Sequence, residues 1–208
     1  MQSYRSYICP LHEVINEVPQ KSRVLDVGCG NGLLLNLLAD LGRIRRGHGF
    51  DLSGPAIEVA QQVALKHSPG HTITFESRSV EQGIPRLGFE VVTVVDVLHH
   101  IPDAYKQAFV ADLCDAVPEG GTLIFKDMVC KPTWRAAANR LHDLIMARQW
   151  VQHADPMDVE QWLAQKGMAI RRRGTFNTLW YGHWLLVAQK YANSQARNAI
   201  LDPERECP

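Results

Sequence analysis

Val24-Leu25-Asp26-Val27-Gly28-Cys29-Gly30-Asn31-Gly32, followed at once by Leu33-Leu34-Leu35, decides the fold. A short apolar run ending in three glycines at alternate positions reads as a buried strand that meets a tight turn. The leucines beyond it open a helix, whose first N–H groups have no partner inside the helix and point back at the turn. Glycine passes through backbone conformations closed to other residues and leaves no side chain between backbone and ligand. The spacing narrows the ligand. A dinucleotide site has G-x-G-x-x-G, with the helix N-terminus on a pyrophosphate. Here the pattern is G-x-G-x-G, and Asp26 stands at the strand end, where it would repel a phosphate. An acid beside a glycine turn suits a cationic, phosphate-free nucleoside.

Outward from this turn, apolar runs bounded by turn residues alternate with helical patterns, the signature of an α/β chain with a mainly parallel sheet. The pattern predicts strands at 23–28, 46–51, 72–76, 89–96 and 121–127, with helices near 32–40, 55–66 and 103–117. Pro55 sits where a first-turn proline belongs, with Ser53 as the cap before it. A further helix runs from about Met157 to Lys166 and stops at Gly167. Two strand-like runs, 168–176 and 183–190, are joined through Asn177 to Gly182 as an antiparallel hairpin.

Four motifs in this order resemble those of the class I S-adenosylmethionine-dependent methyltransferases, over roughly residues 20–130. Asp26-x-Gly28-x-Gly30-x-Gly32 is similar to their first motif and Phe50-Asp51-Leu52-Ser53 to their second. Asp96-Val97-Leu98-His99-His100-Ile101-Pro102 is similar to the loop after their fourth strand, and Pro118-Glu119-Gly120-Gly121-Thr122-Leu123 to the turn into their fifth. The resemblance implies a Rossmann-like, seven-stranded, mainly parallel sheet with an antiparallel C-terminal hairpin and helices on both faces. It implies S-adenosylmethionine as cofactor and leaves the acceptor open.

Composition bounds the rest. The chain has 208 residues, 46% of them hydrophobic, enough for one domain with a full core. Twenty-two basic and 22 acidic side chains give a formal net charge of zero, which disfavours nucleic acid as the main partner. Five scattered cysteines without a C-x-x-C suit a reducing cytoplasm. Met1 to Arg5 lack the apolar core of a signal peptide, and no uncharged apolar stretch is long enough to span a bilayer. The expectation is a single domain over 1–191, with an N-terminal cap at 1–20, a lid insertion at 131–155, and a polar, flexible tail at 192–208.

Asp51 ends the second strand about twenty residues beyond the glycine turn, where an acid accepts hydrogen bonds from both ribose hydroxyls; the alternative is an Asp that caps the next helix. Leu52 then lies against the adenine, and Asp26 holds the methionyl end, directly or through water; the alternative is a strand-end acid bonded to a loop. The resemblance places Asp96 and Val97 beside the cofactor as well. At the adenine edge the chain departs from the family, which commonly has an acid shortly after the third strand. Ser79 or Val80 occupies that position here, within Ser77-Arg78-Ser79-Val80-Glu81-Gln82. Backbone N–H groups or the Ser79 hydroxyl take over the reading of the base.

His99 and His100 follow the fourth strand, where the reversal of strand order opens a crevice. Imidazole titrates near neutral pH and suits a base that takes a proton from a hydroxyl or amine. The alternative is an architectural turn beneath the cofactor. No carboxylates stand at ligand spacing from these histidines, so no metal is expected. Trp134 to Trp150 predicts an extra, two-faced helix near 134–150. Trp134, Ala137, Leu141 and Leu144 make one stripe, and Asn139, His142, Asp143 and Met146 another. A surface helix is the plain reading. A lid is the sharper one, with Trp134, Asn139, His142 and Met146 lining an acceptor pocket and His142 as a second candidate base. For the first twenty residues the resemblance implies a segment folded over the cofactor, with Arg5 or Tyr7 meeting the methionine carboxylate; the alternative is an N-terminal helix simply packed on the sheet. Arg171-Arg172-Arg173 reads as a solvated edge strand that resists aggregation.

These readings converge on methyl transfer to a small molecule, with an aromatic or enolic oxygen as first choice. Carbon methylation of an aromatic or carrier-protein-bound acyl group is the alternative. A non-catalytic nucleoside-binding partner protein is the rival of another class.

Overall fold

A computed structural model describes residues 11–67, 72–86, 88–129, 154–178 and 181–191. Strand β1 (Ser22–Val27) lies parallel to β2 (Ile44–Asp51) on one side and to β4 (Val91–Val95) on the other. β3 (Thr72–Ser77) extends the sheet in parallel beyond β2, and β5 (Thr122–Met128) does so beyond β4. β7 (Tyr181–Lys190) runs antiparallel beside β5, and β6 (Met168–Thr178) is antiparallel at the edge. The seven-stranded order is β3-β2-β1-β4-β5-β7-β6. The expected Rossmann-like sheet with its antiparallel hairpin is therefore present.

Alternation along the strands builds two cores. Leu25, Val27, Val92, Val94, Leu123 and Phe125 point to one face, where α4 (Asp103–Ala116) and α5 (Pro156–Gln165) cover them. Val24, Val91, Ile124 and Leu185 point to the other, against α1 (Leu11–Glu17), α2 (Leu33–Asp40) and α3 (Gly54–His67). Each large side chain fully buried in this way contributes about 1.5–3 kcal/mol.

Helix ends follow the sequence chemistry. The Ser53 hydroxyl accepts the Ala56 amide at the start of α3 (3.4 Å). Asp155 caps α5 through the Met157 amide (3.0 Å), with Pro156 in the first turn. Gly167, at φ 73°, takes the left-handed conformation that ends α5.

One expectation is corrected at the sheet edge. Arg172 does not simply point to solvent: it pairs with Glu13 (2.8 Å) and Glu17 of α1, while Arg173 pairs with Glu160 of α5 (2.8 Å). Successive arginines on a strand face opposite sides, so they pin a helix on each face of the sheet. The predicted lid helix at 134–150, the tail at 192–208 and residues 1–10 of the N-terminal cap lie outside the described residues.

Candidate active site

β1 and β2 send their helices to one face, and β4 sends its helix to the other. The carboxyl ends of these strands consequently diverge into a crevice. The crevice holds a cavity of about 680 Å³, lined by Gly28, Gly30, Asp51, Leu52, Ser79, Val80, Asp96, Val97 and His100 among others. That volume is of the size that takes a cofactor or drug-sized ligand.

The glycine turn is tied to β2 by backbone bonds: the Gly28 and Cys29 amides both donate to the Phe50 carbonyl (2.9 and 3.1 Å). Gly28 sits at φ 71°, and a Cβ there would stand 2.4 Å from a Val97 methyl. A side chain at this position would collide with the loop after β4. Gly32 has a different reason from the one the sequence suggests. Its added Cβ would meet Phe75 at 2.6 Å and Ala60 at 2.8 Å, and it does not line the cavity. Gly32 allows α2 to pack against α3 and β3.

Asp51 is held by both neighbouring loops. Its Oδ2 accepts the Gly30 amide and its Oδ1 the Ser53 amide, each at 2.9 Å. The helix-cap alternative is thus partly realised, yet each carboxylate oxygen has a second lone pair for a ligand hydroxyl. Leu52 stands at the rim with 77% of its surface exposed. Asp26 is buried beneath the turn, where its Oδ1 accepts the Thr93 hydroxyl (2.7 Å). It lines a small adjoining cavity of about 40 Å³ that shares Gly28 and Asp96 with the large one. Asp26 and Asp51 therefore flank the turn, an arrangement for a cation rather than a phosphate.

On the wall beyond β3, Ser79 caps a single turn of 3-10 helix, Val80–Gln82. Its hydroxyl accepts the Glu81 amide (3.2 Å), and its own amide donates to Gln82 Oε1 (3.0 Å). Its hydroxyl hydrogen is the group left for a ligand. Arg78, which the sequence reading did not single out, lines the same wall. Its amide donates to the Asp51 carbonyl (2.9 Å) and its guanidinium bonds to Glu76 (3.3 Å). A position straight after a parallel strand is the signal that would have found it.

The far wall carries the histidines, and here the structure separates two residues that adjoin in sequence. His100 is exposed and lines the cavity; His99 is buried, with 4% of its surface accessible, and does not. Of the two candidate bases, His100 therefore faces the cavity and His99 lies behind it. Its Nδ1 lies 2.5 Å from Asp127 Oδ1, and its backbone amide donates to Asp127 Oδ2 (3.2 Å). Asp96, at φ 57° and buried, grips the Lys126 ammonium through both oxygens (2.7 and 2.8 Å). Burial alone would raise both carboxyls. The Lys126 charge outweighs it for Asp96 and His99 does so for Asp127, so both are held below the usual carboxylate range.

Asp96, His99 and Asp127 bring their ligand atoms within 4.8 Å of one another, so carboxylates do flank the histidine turn in space although none does in sequence. Lys126 supplies the countercharge to Asp96 and the His99 ring a hydrogen bond to Asp127, so the group is knit together internally. Cys29 is buried in the turn, and burial first, then Asp26 and Asp51, push its thiol far up. Tyr7, Trp134, Asn139, His142 and Met146 lie outside the described residues.

A mainly parallel sheet of this order, with an antiparallel hairpin and a glycine turn beside an acid-lined cavity, defines the class I S-adenosylmethionine-dependent methyltransferases. The chain belongs to the methyltransferase domain family, which matches residues 1–172. It is 34% identical over 103 residues to a ubiquinone biosynthesis O-methyltransferase of Shewanella sp. strain ANA-3, covering 50% of this chain and 42% of that protein. The chain spans about half the length of the curated relatives it matches. Among solved structures, magnesium protoporphyrin IX methyltransferase from Synechocystis PCC 6803 with bound SAH superposes with a TM-score of 0.69 at 24% identity. That match covers 86% of this chain and 81% of that one. The cyclase SpnF superposes with a TM-score of 0.71 at 15% identity, covering 88% and 80%. These likenesses concern the fold, and the cyclase illustrates that the fold alone does not fix a reaction. Among the described residues no helix is long and apolar enough to cross a membrane.

Proposed function

We propose that this chain transfers a methyl group from S-adenosylmethionine to an oxygen of an aromatic or enolic small molecule. The observation that carries the reading is the cavity itself: a glycine turn, Asp51 at the β2 end and Asp26 beneath, with His100 on the opposite wall. The ubiquinone biosynthesis O-methyltransferases among its relatives support oxygen as the methylated atom.

When bound, the sulfonium cofactor supplies a methyl group already activated for in-line displacement. The protein contributes placement. In this reading Asp51 accepts the ribose hydroxyls with its free lone pairs, Asp26 makes the field that favours the cationic end, and Asp96, its charge met by Lys126, lines the cavity beside it. Leu52 and Val80 cover the base, Ser79 donates to its edge, and Val97 forms the floor. Alignment of acceptor and methyl, with water excluded, is worth up to about 7–11 kcal/mol. His100 holds the proton that a phenol or enol must give up, the step a positioned imidazole assists. Residues 131–155 close over the acceptor as a lid, with Trp134, Asn139, His142 and Met146 toward it and His142 as a second proton acceptor. The N-terminal segment, with Tyr7, covers the methionyl end, and residues 1–191 act as one domain.

The purified chain, incubated with methyl-labelled S-adenosylmethionine and a metabolite extract, is expected to place label on a phenolic or enolic oxygen. Label on carbon would overturn the choice of atom. Tight binding of S-adenosylhomocysteine with no transfer to any fraction would favour a nucleoside-binding partner protein instead.

A further inference from the structure

We propose that Asp127 and His99 form a positioning pair that fixes His100 at the cavity wall. This rests on the reading of the cavity given above and deepens it, since neither member of the pair touches the cavity. The short 3-10 turn Leu98–His100 is anchored at its rear by a single carboxylate. Asp127 Oδ1 is shared between the His99 Nδ1 (2.5 Å) and the Met128 amide (2.7 Å), and Oδ2 takes the His99 amide (3.2 Å). One buried side chain of β5 thus holds both the backbone and the ring of His99. The carboxylate sets the ring by accepting from Nδ1–H. That ring lies against His100, with centroids 4.1 Å apart and planes at 48°. The His100 amide in turn donates to the Val97 carbonyl (3.0 Å), which closes the turn on which the ring is carried.

A cavity histidine on a bare surface turn would sample several rotamers. Here its neighbour is locked by a charge-assisted bond inside the protein, where such bonds are strongest. The adjacent Asp96–Lys126 pair closes the same floor from the β4 side, so the turn rests on a fixed electrostatic base. The pair acts through packing and orientation, and only His100 reaches the ligand.

The test uses the full chain with ring-labelled histidine, observed by NMR with and without S-adenosylhomocysteine. His100 signals are assigned by their loss in His100→Gln. Two substitutions remove the pair in different ways: Asp127→Asn takes the charge, and His99→Phe keeps a ring against His100 but loses the donor. Both are expected to shift and multiply the His100 signals, while the Kd for S-adenosylhomocysteine changes less than about threefold. His99→Asn, which places a nitrogen donor where Nδ1 stands, is expected to restore tighter exchange protection of the 97–101 amides than His99→Phe. If one variant does not fold, the other carries the test. A single, unshifted set of His100 signals in the folded variants would overturn the proposal. Failure of the wild-type chain to bind S-adenosylhomocysteine would overturn the cavity reading alone, because the ligand-free spectra still decide the pair.

Discussion

The two halves of the crevice handle their acids in opposite ways. On the β1–β2 side, Asp51 is half-buried and is held by the neutral amides of Gly30 and Ser53. On the β4–β5 side, Asp96 and Asp127 are buried and are held by Lys126 and His99. Amide donors leave a carboxylate with spare lone pairs and full charge toward a ligand. A buried cation uses up the charge and locks the residue in place. The first half is built to bind, the second to hold a turn still, and a substitution should reveal which kind of acid it touches.

The largest effect is expected from breaking the buried pair. Lys126→Met leaves Asp96 charged, enclosed and without its cation, which typically costs about 3–5 kcal/mol. Denaturant unfolding should report that loss. Its pH dependence gives the sign. In the wild type the folded pKa of Asp96 and of Asp127 is depressed, so their stabilisation is complete above the unfolded value of about 4 and is lost as pH falls below it. Without Lys126, burial raises Asp96 instead, and protonation then relieves the strain. The deficit of Lys126→Met should therefore shrink as pH is lowered toward about 4. A deficit independent of pH would mean that lost packing, not charge, is the cause.

Asp51→Ala tests the other half. If Asp51 holds the ribose, two charge-assisted bonds at the low end of about 1.5–3 kcal/mol each are lost, or roughly a hundredfold in affinity. Calorimetry with S-adenosylhomocysteine measures it. Stability should fall by less, because the amides of Gly30 and Ser53 lie where water can reach them. Equal losses in binding and stability would place Asp51 with the structural acids.

This contrast also explains what could be read from the sequence. Asp51 follows the glycine turn at a regular interval, and Ser53 and Pro55 announce the helix beyond it, so strand, turn and cap are all local signals. The strands fell within about two residues of their observed ends: β1 and β4 are near-continuous buried runs of the parallel part of the sheet, and turn residues bound the others. Lys126-Asp127 reads locally as a charged strand end. In the fold Lys126 meets Asp96 and Asp127 meets His99, some 30 and 28 residues distant, within one buried cluster. Nothing near them in the chain marks those partners. For the same reason His99 and His100, adjacent in sequence and alike in chemistry, could not be told apart until one was seen to be buried.

Gly28 joins the halves, since its added Cβ would strike Val97 at 2.4 Å and its φ is 71°. Gly28→Ala is expected to cost about 1–3 kcal/mol through overpacking and the left-handed backbone. Adding Val97→Ala should recover only the overpacking share, so the two changes should couple rather than add. Thermal or denaturant unfolding of both singles and the double variant measures this.

The smallest effect separates two roles at the adenine wall. Ser79 already caps the 3-10 turn by accepting the Glu81 amide at 3.2 Å. As a cap alone, Ser79→Ala should cost about 0.5–1 kcal/mol of stability and leave S-adenosylhomocysteine affinity nearly unchanged. As a donor to the base, it should weaken binding by a further neutral hydrogen bond, about 0.5–1.5 kcal/mol, or up to tenfold. Ser79→Asp discriminates further. An aspartate caps as well as serine but can only accept, so it supports an exocyclic amine and opposes a ring nitrogen. Tighter binding in Ser79→Asp would show that the base presents its amine to this wall. Weaker binding with the cap intact would show that the serine donates. An unchanged Kd in both variants would assign Ser79 to the turn and leave the base to the backbone amides.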